Sequence, residues 1–464
     1  MPPALLKLPH RPLWQEVAPP VADGQHSPFL NASISADVAI VGAGYSGLWT
    51  AIYLLKAKPS LRVVLLEGEQ VGFGASGRNG GWVSAIFPIS LSKVARLYSH
   101  QAALDLQAAM NATVTQIGQA LTEAGIEADF AQQGFISLAR SVPQWTRVQA
   151  AVTAAVDFGL PSQFRALNAA QATAKLNACG VQGALFTEHC ATVHPGKLVH
   201  GLATWVERLG GLIYSHSRVL QIEPGRLVTA HGEVRAETII RATEAYSCLD
   251  KAYHRRLIPL HSLMLATEPL PEGLRKQLKL AHRMAFNDMR HLRVYSQVTE
   301  DGRLVFGGRG APYAFGSHIR EEAACIDGGH LRLHQAMVDF FPPLKDVAIS
   351  HRWGGVLGVA RDWCPSVHFD PKTRIGFTGG YVGDGVATSH LAARILRNLI
   401  LHEDEAINRL PLVQHRSPNW EAEPWRYLAI NGGLAAARFA DREERLSGRP
   451  SYTAALLERL TGAH

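Results

Sequence analysis

The segment Asp37-Val-Ala-Ile-Val-Gly-Ala-Gly-Tyr-Ser-Gly47, followed by Val63-Val-Leu-Leu-Glu67, has the most chemically specific spacing in the chain. Gly42, Gly44 and Gly47 stand where a buried strand turns tightly into a helix beneath a pyrophosphate, and Tyr45 and Ser46 ride on that turn. A helix over about 44–58 aims its N-terminal N–H groups and positive dipole end at the phosphates. Glu67 closes a second strand 25 residues beyond Gly42, near the place where an acid binds a ribose hydroxyl. A bare glycine triplet also occurs in flexible loops. Here strand, helix and acid fall in place around it, and the segment reads as a dinucleotide site.

Two further loops favour FAD over a nicotinamide. Gly72-Phe-Gly-Ala-Ser-Gly-Arg-Asn-Gly-Gly81 is a second small-residue loop where backbone can approach a long cofactor, and Gly74, Ala75, Ser76, Gly80 and Gly81 are its candidate contacts. Ile375-Gly-Phe-Thr-Gly-Gly-Tyr-Val-Gly-Asp-Gly-Val386 repeats the order of strand, glycine loop and helix. A helix starting near Asp384 points its N–H groups at the flavin pyrimidine oxygen and stabilises the negative charge that develops there on reduction. Gly380, Tyr381, Gly383, Asp384, Gly385 and Val386 are the contacts this predicts. The blander alternative is a glycine-rich surface turn before an amphipathic helix.

With these loops in view, the chain resembles the FAD-dependent oxidoreductases of the D-amino-acid oxidase and sarcosine oxidase superfamily, most closely the gamma-glutamylputrescine oxidase branch. The likeness runs through Gly74-Ala-Ser-Gly-Arg-Asn-Gly-Gly81, Ala266-Thr-Glu-Pro-Leu270, Gly307-Gly-Arg-Gly-Ala-Pro-Tyr313, Trp353-Gly-Gly355 and Gly380-Tyr-Val-Gly-Asp-Gly385. These landmarks keep family order from about residue 14 to about 460. The resemblance implies oxidation of a C–N bond in an amine or amino acid, with a gamma-glutamylputrescine-like amine favoured. The cofactor accepts the hydride, the imine product hydrolyses to an aldehyde or ketone, and molecular oxygen is reduced to hydrogen peroxide. Two alternatives stay open: a dehydrogenase or imine-forming enzyme that uses another electron acceptor, and a non-catalytic flavin-bound module that binds a partner.

The resemblance also distributes roles. Arg78 and Asn79 lie beside the flavin, Val219 offers its backbone to the adenine, and Ala242, Thr243 and Gly355 border the cofactor. His261 is expected just before a strand at Leu263–Thr267, on the flavin's substrate side, as a catalytic group or a satisfied structural histidine. Arg309 and Tyr313 anchor a carboxylate and cap a pocket, or else belong to a turn whose Arg pairs with a local acid. Trp353 supplies an aromatic wall over the ring or is a core residue. Asp384 stands where relatives often have His, and either binds a substrate ammonium or caps the following helix. The loop from Gly72 to Gly81 has neither His nor Cys, and Trp353 to Ala360 has no Cys, so the FAD is expected to be non-covalent. No lysine falls between Lys279 and Lys345, whereas sarcosine oxidases place one near flavin N5 to help oxygen react.

The predicted fold is α/β with an α+β substrate domain: a Rossmann-like FAD-binding domain interleaved with a mixed-sheet substrate domain, and a helical C-terminal tail. An arm covers 1–36. The FAD domain takes 37–90, 180–256 and 350–415, the substrate domain 91–179 and 257–349, and the tail 416–464. Helices are predicted within 91–125 and 144–158 and from about His194, and strands at Gly134–Ala139, Arg218–Ile222 and Thr238–Tyr246.

With 464 residues, 47% of them apolar and 18% charged, the chain can bury a sizeable core. The net charge of +7 is scattered among acids, as in Asp441-Arg-Glu-Glu-Arg445, which argues against a nucleic-acid partner. No run approaches the roughly 18 apolar residues of a membrane span. Cys179, Cys190, Cys248, Cys325 and Cys364 are far apart and odd in number, which predicts reduced thiols, a cytoplasmic location and no metal.

Overall fold

The computed structural model describes Leu5 and residues 7–16, 29–319 and 327–461. Val38 to Val41 are all apolar because the strand Ile34–Val41 is covered on both faces. Val38 and Ile40 pack with Val63, Leu65 and Ile240 into one core, while Ala39 and Val41 join Val64, Leu66 and Ile239 in another. This strand is central in a sheet ordered Ser366–Asp370, Ile375–Gly379, Glu233–Arg241, Ile34–Val41, Val63–Leu66, Leu212–Tyr214. All neighbours along that path are parallel except the first pair. An antiparallel extension, Arg226–Thr229 and Val219–Glu223, attaches to the N-terminal half of Glu233–Arg241.

The helix Tyr45–Ala57 leaves the first strand and packs against Pro195–Arg208 and against Gly385–Leu401. Distant parts of the chain thus meet on one face of the sheet. The two helices Leu91–Leu97 and His100–Ala124 carry the predicted apolar spacing and are capped by the Ser90 and Ser99 side chains. Contrary to their expected place in the substrate domain, Leu106, Met110, Val114, Ile117 and Leu121 pack into the same core as Tyr45–Ala57.

A second sheet runs Ile349–Ala360, Leu257–Thr267, Leu304–Arg309, Val294–Val298, Ala285–Asp288, Phe135–Ala139, Gly183–Thr187, Arg165–Asn168. It is antiparallel apart from the pair Ala285–Asp288 and Phe135–Ala139. Two expected boundaries need correction. Gly183–Thr187 pairs with Phe135–Ala139, and Ile349–Ala360 pairs along its length with Leu257–Thr267, so both strands extend this sheet and not the nucleotide-binding one. The strand expected over Thr238–Tyr246 ends at Arg241 and turns into a short helix, Glu244–Leu249.

The tail forms helices Trp425–Ser447 and Tyr452–Thr461. The first is clasped to the helix Val142–Asp157 and to the loop after the strand Ala285–Asp288 by ionic and polar ties. Arg147 donates to both Glu444 oxygens at 2.7 and 2.8 Å, and Asp441 accepts from the backbone N–H groups of His291 and Leu292 at 2.7 and 3.0 Å. Among the described residues no helix is long and apolar enough to cross a membrane, and no cluster could hold a metal. Cys179, Cys190, Cys248 and Cys364 are free thiols, while Cys325 lies outside the described residues.

Candidate active site

The first glycine turn is built by close backbone approach. Gly42 has φ +107, and a Cβ there would lie 2.7 Å from the Ala242 carbonyl oxygen. Gly47, one turn into the helix, would place a Cβ 2.0 Å from the Gly42 oxygen. It serves packing and does not border the cavity. Glu67, at the end of the second strand, accepts from Ala43 N at 2.8 Å and Glu69 N at 3.0 Å. Burial pushes its carboxyl above the usual range, against the pull of those N–H groups.

The second loop folds over the same turn. Ser76 Oγ accepts from Tyr45 N at 2.9 Å, and Asn79 Nδ2 donates to the carbonyls of Ala75 and Ser76 at 3.1 and 2.8 Å. Asn79 Oδ1 accepts from Gly81 N at 2.8 Å. Arg78 lies over the Phe73 ring at 4.9 Å and donates through Nε to the Phe73 carbonyl at 2.8 Å. The N-terminal arm backs this loop, with Trp14 Nε1 donating to the Asn79 carbonyl at 2.8 Å. Gly80 and Gly81 admit Tyr295 and Gln297 of the second sheet, which a Cβ would meet at 2.8 and 2.0 Å.

The third loop closes the site from the far end of the chain. Tyr381 OH is within 2.8 Å of Ser46 Oγ and 2.6 Å of Thr378 Oγ1, which staples the turn at 380–385 to the first helix. Gly385–Leu401 begins there with Asp384 at its N-cap position, yet the Asp384 side chain makes no capping bond. The expectation that it caps the helix is therefore corrected.

Between these loops runs a cavity of about 690 Å³, inside the roughly 300–1,000 Å³ range of ligand sites. Gly42, Gly44, Tyr45, Ser46 and Glu67 line one stretch of it, and Gly74, Ala75, Ser76 and Asn79 the loop above. Val219, Ala242 and Thr243 border it, as do Tyr381, Gly383, Gly385 and Val386. Arg78, Gly80, Gly81, Gly355, Gly380 and Asp384 stand behind this lining. A glycine cradle, an acid at the second strand's end and two helix starts without side-chain caps fit a dinucleotide with an extended second half. Leu357 and Val356 bring the second sheet to the cavity wall.

The expected substrate-side residues divide. His261 lies inside the strand Leu257–Thr267, opposite Val356, and is 4% exposed. Trp353 is 1% exposed, packed with Leu13, Trp14, Met264 and Val305, and its Nε1 donates to the Arg78 carbonyl at 3.0 Å. It has no surface left to wall a ligand and acts as core. Tyr313 is likewise buried, its hydroxyl held by Ser317 Oγ and Glu423 Oε1 at 2.9 and 2.8 Å, so it braces a turn and caps no pocket.

Arg309 lies beside the third glycine loop. Among the described residues it makes no salt bridge; its guanidinium donates to the Val382 carbonyl at 2.6 Å, lies over the Trp363 ring at 5.1 Å and comes within 3.5 Å of where a Gly383 Cβ would be. Beside it is Arg293, whose carbonyl accepts from Arg309 N at 3.0 Å. Among the described residues nothing gives the Arg293 guanidinium a hydrogen bond or salt bridge. It keeps exposed area although protein surrounds it, as a side chain lining a recess does. Burial lowers the pKa of both guanidinium groups, partly offset by Asp384. The same burial pushes Asp384 up to about 6, partly offset by Arg309 and then Arg293. Two cations and one carboxylate thus stand together behind Gly383, which itself borders the cavity.

Sequence reasoning missed Arg293 and also Glu244, which borders the cavity. Arg293 ends the run Arg290-His-Leu-Arg293, with no acid inside it. Glu244 is a lone acid among small and apolar residues, Ala242-Thr-Glu-Ala245.

Known proteins resemble this chain in sequence and in fold. Gamma-glutamylputrescine oxidoreductase of Escherichia coli strain K12 is 29% identical over 399 residues, 84% of this chain and 90% of that protein. A probable oxidoreductase of Haemophilus influenzae is 29% identical over 384 residues, 80% of this chain and 84% of that one. In fold, glycine oxidase from Geobacillus kaustophilus matches with a TM-score of 0.68 at 20% identity, covering 82% of this chain and 99% of that chain. L-proline dehydrogenase from P. horikoshii matches at 0.66 and 17% identity, covering 82% and 96%. Residues 37–399 match the DAO family model, described as FAD dependent oxidoreductase, and the chain belongs to that family.

Proposed function

We propose that this FAD-dependent oxidoreductase oxidises a C–N bond of an amine or amino acid, with a gamma-glutamylputrescine-like amine as the favoured substrate. The bound cofactor supplies a two-electron hydride acceptor. The carbon bearing the amine loses hydride, the nitrogen loses a proton, and water hydrolyses the imine to an aldehyde or ketone plus ammonia or a smaller amine. Oxygen accepts the two electrons and becomes hydrogen peroxide.

The observation that carries this reading is the charged recess. Arg309 and Arg293 offer fork-shaped donors to a substrate carboxylate, and Asp384, free of any cap bond, faces a substrate ammonium. The name of the Escherichia coli relative adds support for a glutamylated amine. The residues holding the cofactor in this reading are the cavity-lining members of the three glycine loops, with Glu67 near the ribose and Val219 near the adenine.

An anaerobic titration tests it. Purified protein carrying FAD should lose its flavin absorbance, near roughly 450 nm, on addition of a gamma-glutamyl amine, and regain it in air with peroxide release. Bleaching by N-methyl or D-amino acids alone would move the substrate to another class. Recovery only with an artificial acceptor would make the enzyme a dehydrogenase. No bleaching by any amine or amino acid would sink the proposal.

A further inference from the structure

Glu244 holds a backbone conformation that few side chains adopt, and does so where three parts of the fold meet. Its φ of +42 lies in the left-handed region, directly after the strand Glu233–Arg241 and Ala242-Thr243. The strained turn aims its carboxyl at two separate segments. Oε2 accepts from Gly358 N, in the second sheet, at 2.6 Å, and Oε1 accepts from Tyr381 N, in the third glycine loop, at 3.0 Å. Gly358 also accepts from Val382 N at 3.2 Å, which completes a small circuit among the three pieces. The fit is close, since a Cβ on Gly358 would come within 2.5 Å of Glu244 Oε2.

Only a group with two acceptor oxygens closes both arms. A carboxylate has them; an amide of the same length turns an NH₂ donor toward one of the two backbone N–H groups. Burial pushes the carboxyl up to about 7, opposed by the backbone N–H groups of Tyr381 and Gly358. A half-buried acid at the cavity wall, held in an unfavourable backbone conformation by two backbone N–H groups, marks a constraint on the site.

We propose that Glu244 is a positioning residue for the flavin: it fixes the turn at 380–385, and so the start of the helix Gly385–Leu401, against the substrate-side strand Ile349–Ala360. The inference rests on the FAD assignment. With the turn fixed, the helix N-terminus would be held where it can stabilise negative charge on a bound, reduced flavin. With it loose, the dipole contributes less and the reduced form is less favoured.

The experiment compares wild type, Glu244→Gln and Gly358→Ala. Apoprotein is reconstituted with FAD and followed by flavin fluorescence, and the midpoint potential of each holoprotein is measured. Both variants should hold FAD about tenfold more weakly, the loss of one hydrogen bond to a charged group, and both should have lower midpoint potentials. If Glu244→Gln does not fold, Gly358→Ala reads the same contact from the other side. Wild-type affinity and potential in a folded variant, or a lower melting temperature with both unmoved, would overturn the inference. If wild-type apoprotein takes up no FAD, the cofactor assignment itself fails. That outcome is distinct from a variant that matches a flavin-loaded wild type.

Discussion

The nucleotide cradle and the charged recess meet at the third glycine loop, through Ser46 and Tyr381 on one side and Arg309 and Val382 on the other, and are made in different ways. The cradle is mostly backbone: Gly42 beside Ala242, Gly47 against Gly42, Ser76 closing on Tyr45. Apart from Ala242, its parts follow one another within a few dozen residues. The recess is mostly side chain: Arg293 from the residue just before the strand Val294–Val298, Arg309 from the neighbouring strand Leu304–Arg309, and Asp384 from a loop that belongs to the first sheet. A backbone site tolerates almost no added atom at its turns, whereas a side-chain site tolerates change at a graded cost to one ligand. That contrast orders the expected effects of mutation.

The largest effect is expected at Gly42. Alanine there must adopt φ +107 with its Cβ 2.7 Å from the Ala242 oxygen. The conformation alone costs about 1–2 kcal/mol, and the contact forces the two strands apart. Gly42→Ala should purify with little or no FAD and melt several degrees lower, read from flavin stoichiometry and a thermal scan. Full FAD occupancy would show that the cradle has slack, and the contrast with the recess would collapse.

Arg309→Gln and Arg293→Gln come next and should behave in the opposite sense. FAD content should hold while KM for a carboxylate-bearing amine rises roughly 10- to 100-fold, the loss of about 1.5–3 kcal/mol in a hydrogen bond to a charged group. A substrate analogue without the carboxylate should show no further loss in either variant. Equal losses for both substrates would mean that the arginines hold structure and bind no anion.

The same contrast explains which features are legible in the sequence. The run Val38–Val41, the glycine turn and Glu67 are encoded locally, because a two-sided buried strand must be apolar throughout and a tight turn under phosphate must lack side chains. Trp353 and Tyr313 admit two readings because an aromatic beside glycines looks alike whether it faces a ligand or fills a core. Only the packing of Trp353 on Trp14 and Met264, and the tie of Tyr313 to Glu423, decides the matter. The strand Ile349–Ala360 is assigned to the wrong sheet by its sequence for a related reason. Its place beside the cofactor loops follows from the seam between the two sheets, where Gly355 and Gly358 let the strand pass Arg78 and Glu244. Arg293 is invisible in the sequence, since its meaning comes from Arg309 and Asp384, which are far away along the chain. Side-chain convergence across strands leaves no local spacing to detect.

Asp384 sharpens the comparison through pH. Its carboxyl is raised from 3.8 to about 6, first by burial, so the folded state holds the proton more tightly than the unfolded chain. The associated stability is fully present below about pH 4 and is lost as pH rises through about 6. Asp384→Asn, which cannot ionise, should therefore equal wild type near pH 4 and exceed it at pH 8 by about 1–3 kcal/mol in denaturant unfolding. Binding runs the other way: if Asp384 meets a substrate ammonium, the variant loses affinity at pH 8 while it gains stability. A variant that is no more stable at high pH would place the carboxylate in a well-solvated position and remove the recess from its surroundings.

The smallest effect is expected on the outer face of the cradle's own helix. Lys56 bridges Glu123 at 2.5 Å with both side chains largely in solvent, and exposed pairs of this kind contribute about 0–1 kcal/mol. Lys56 also lies 5.3 Å from the Trp205 ring, a contact that Glu123→Gln leaves in place. That variant should change unfolding stability by less than about 0.5 kcal/mol and leave FAD affinity and KM unmoved. The ion pair joins the helix Tyr45–Ala57 to His100–Ala124, so a large change would mean that the glycine turn depends on an ionic tie at the helix's far end. The cradle would then no longer be a backbone device, and the distinction from the side-chain recess would have to be drawn elsewhere.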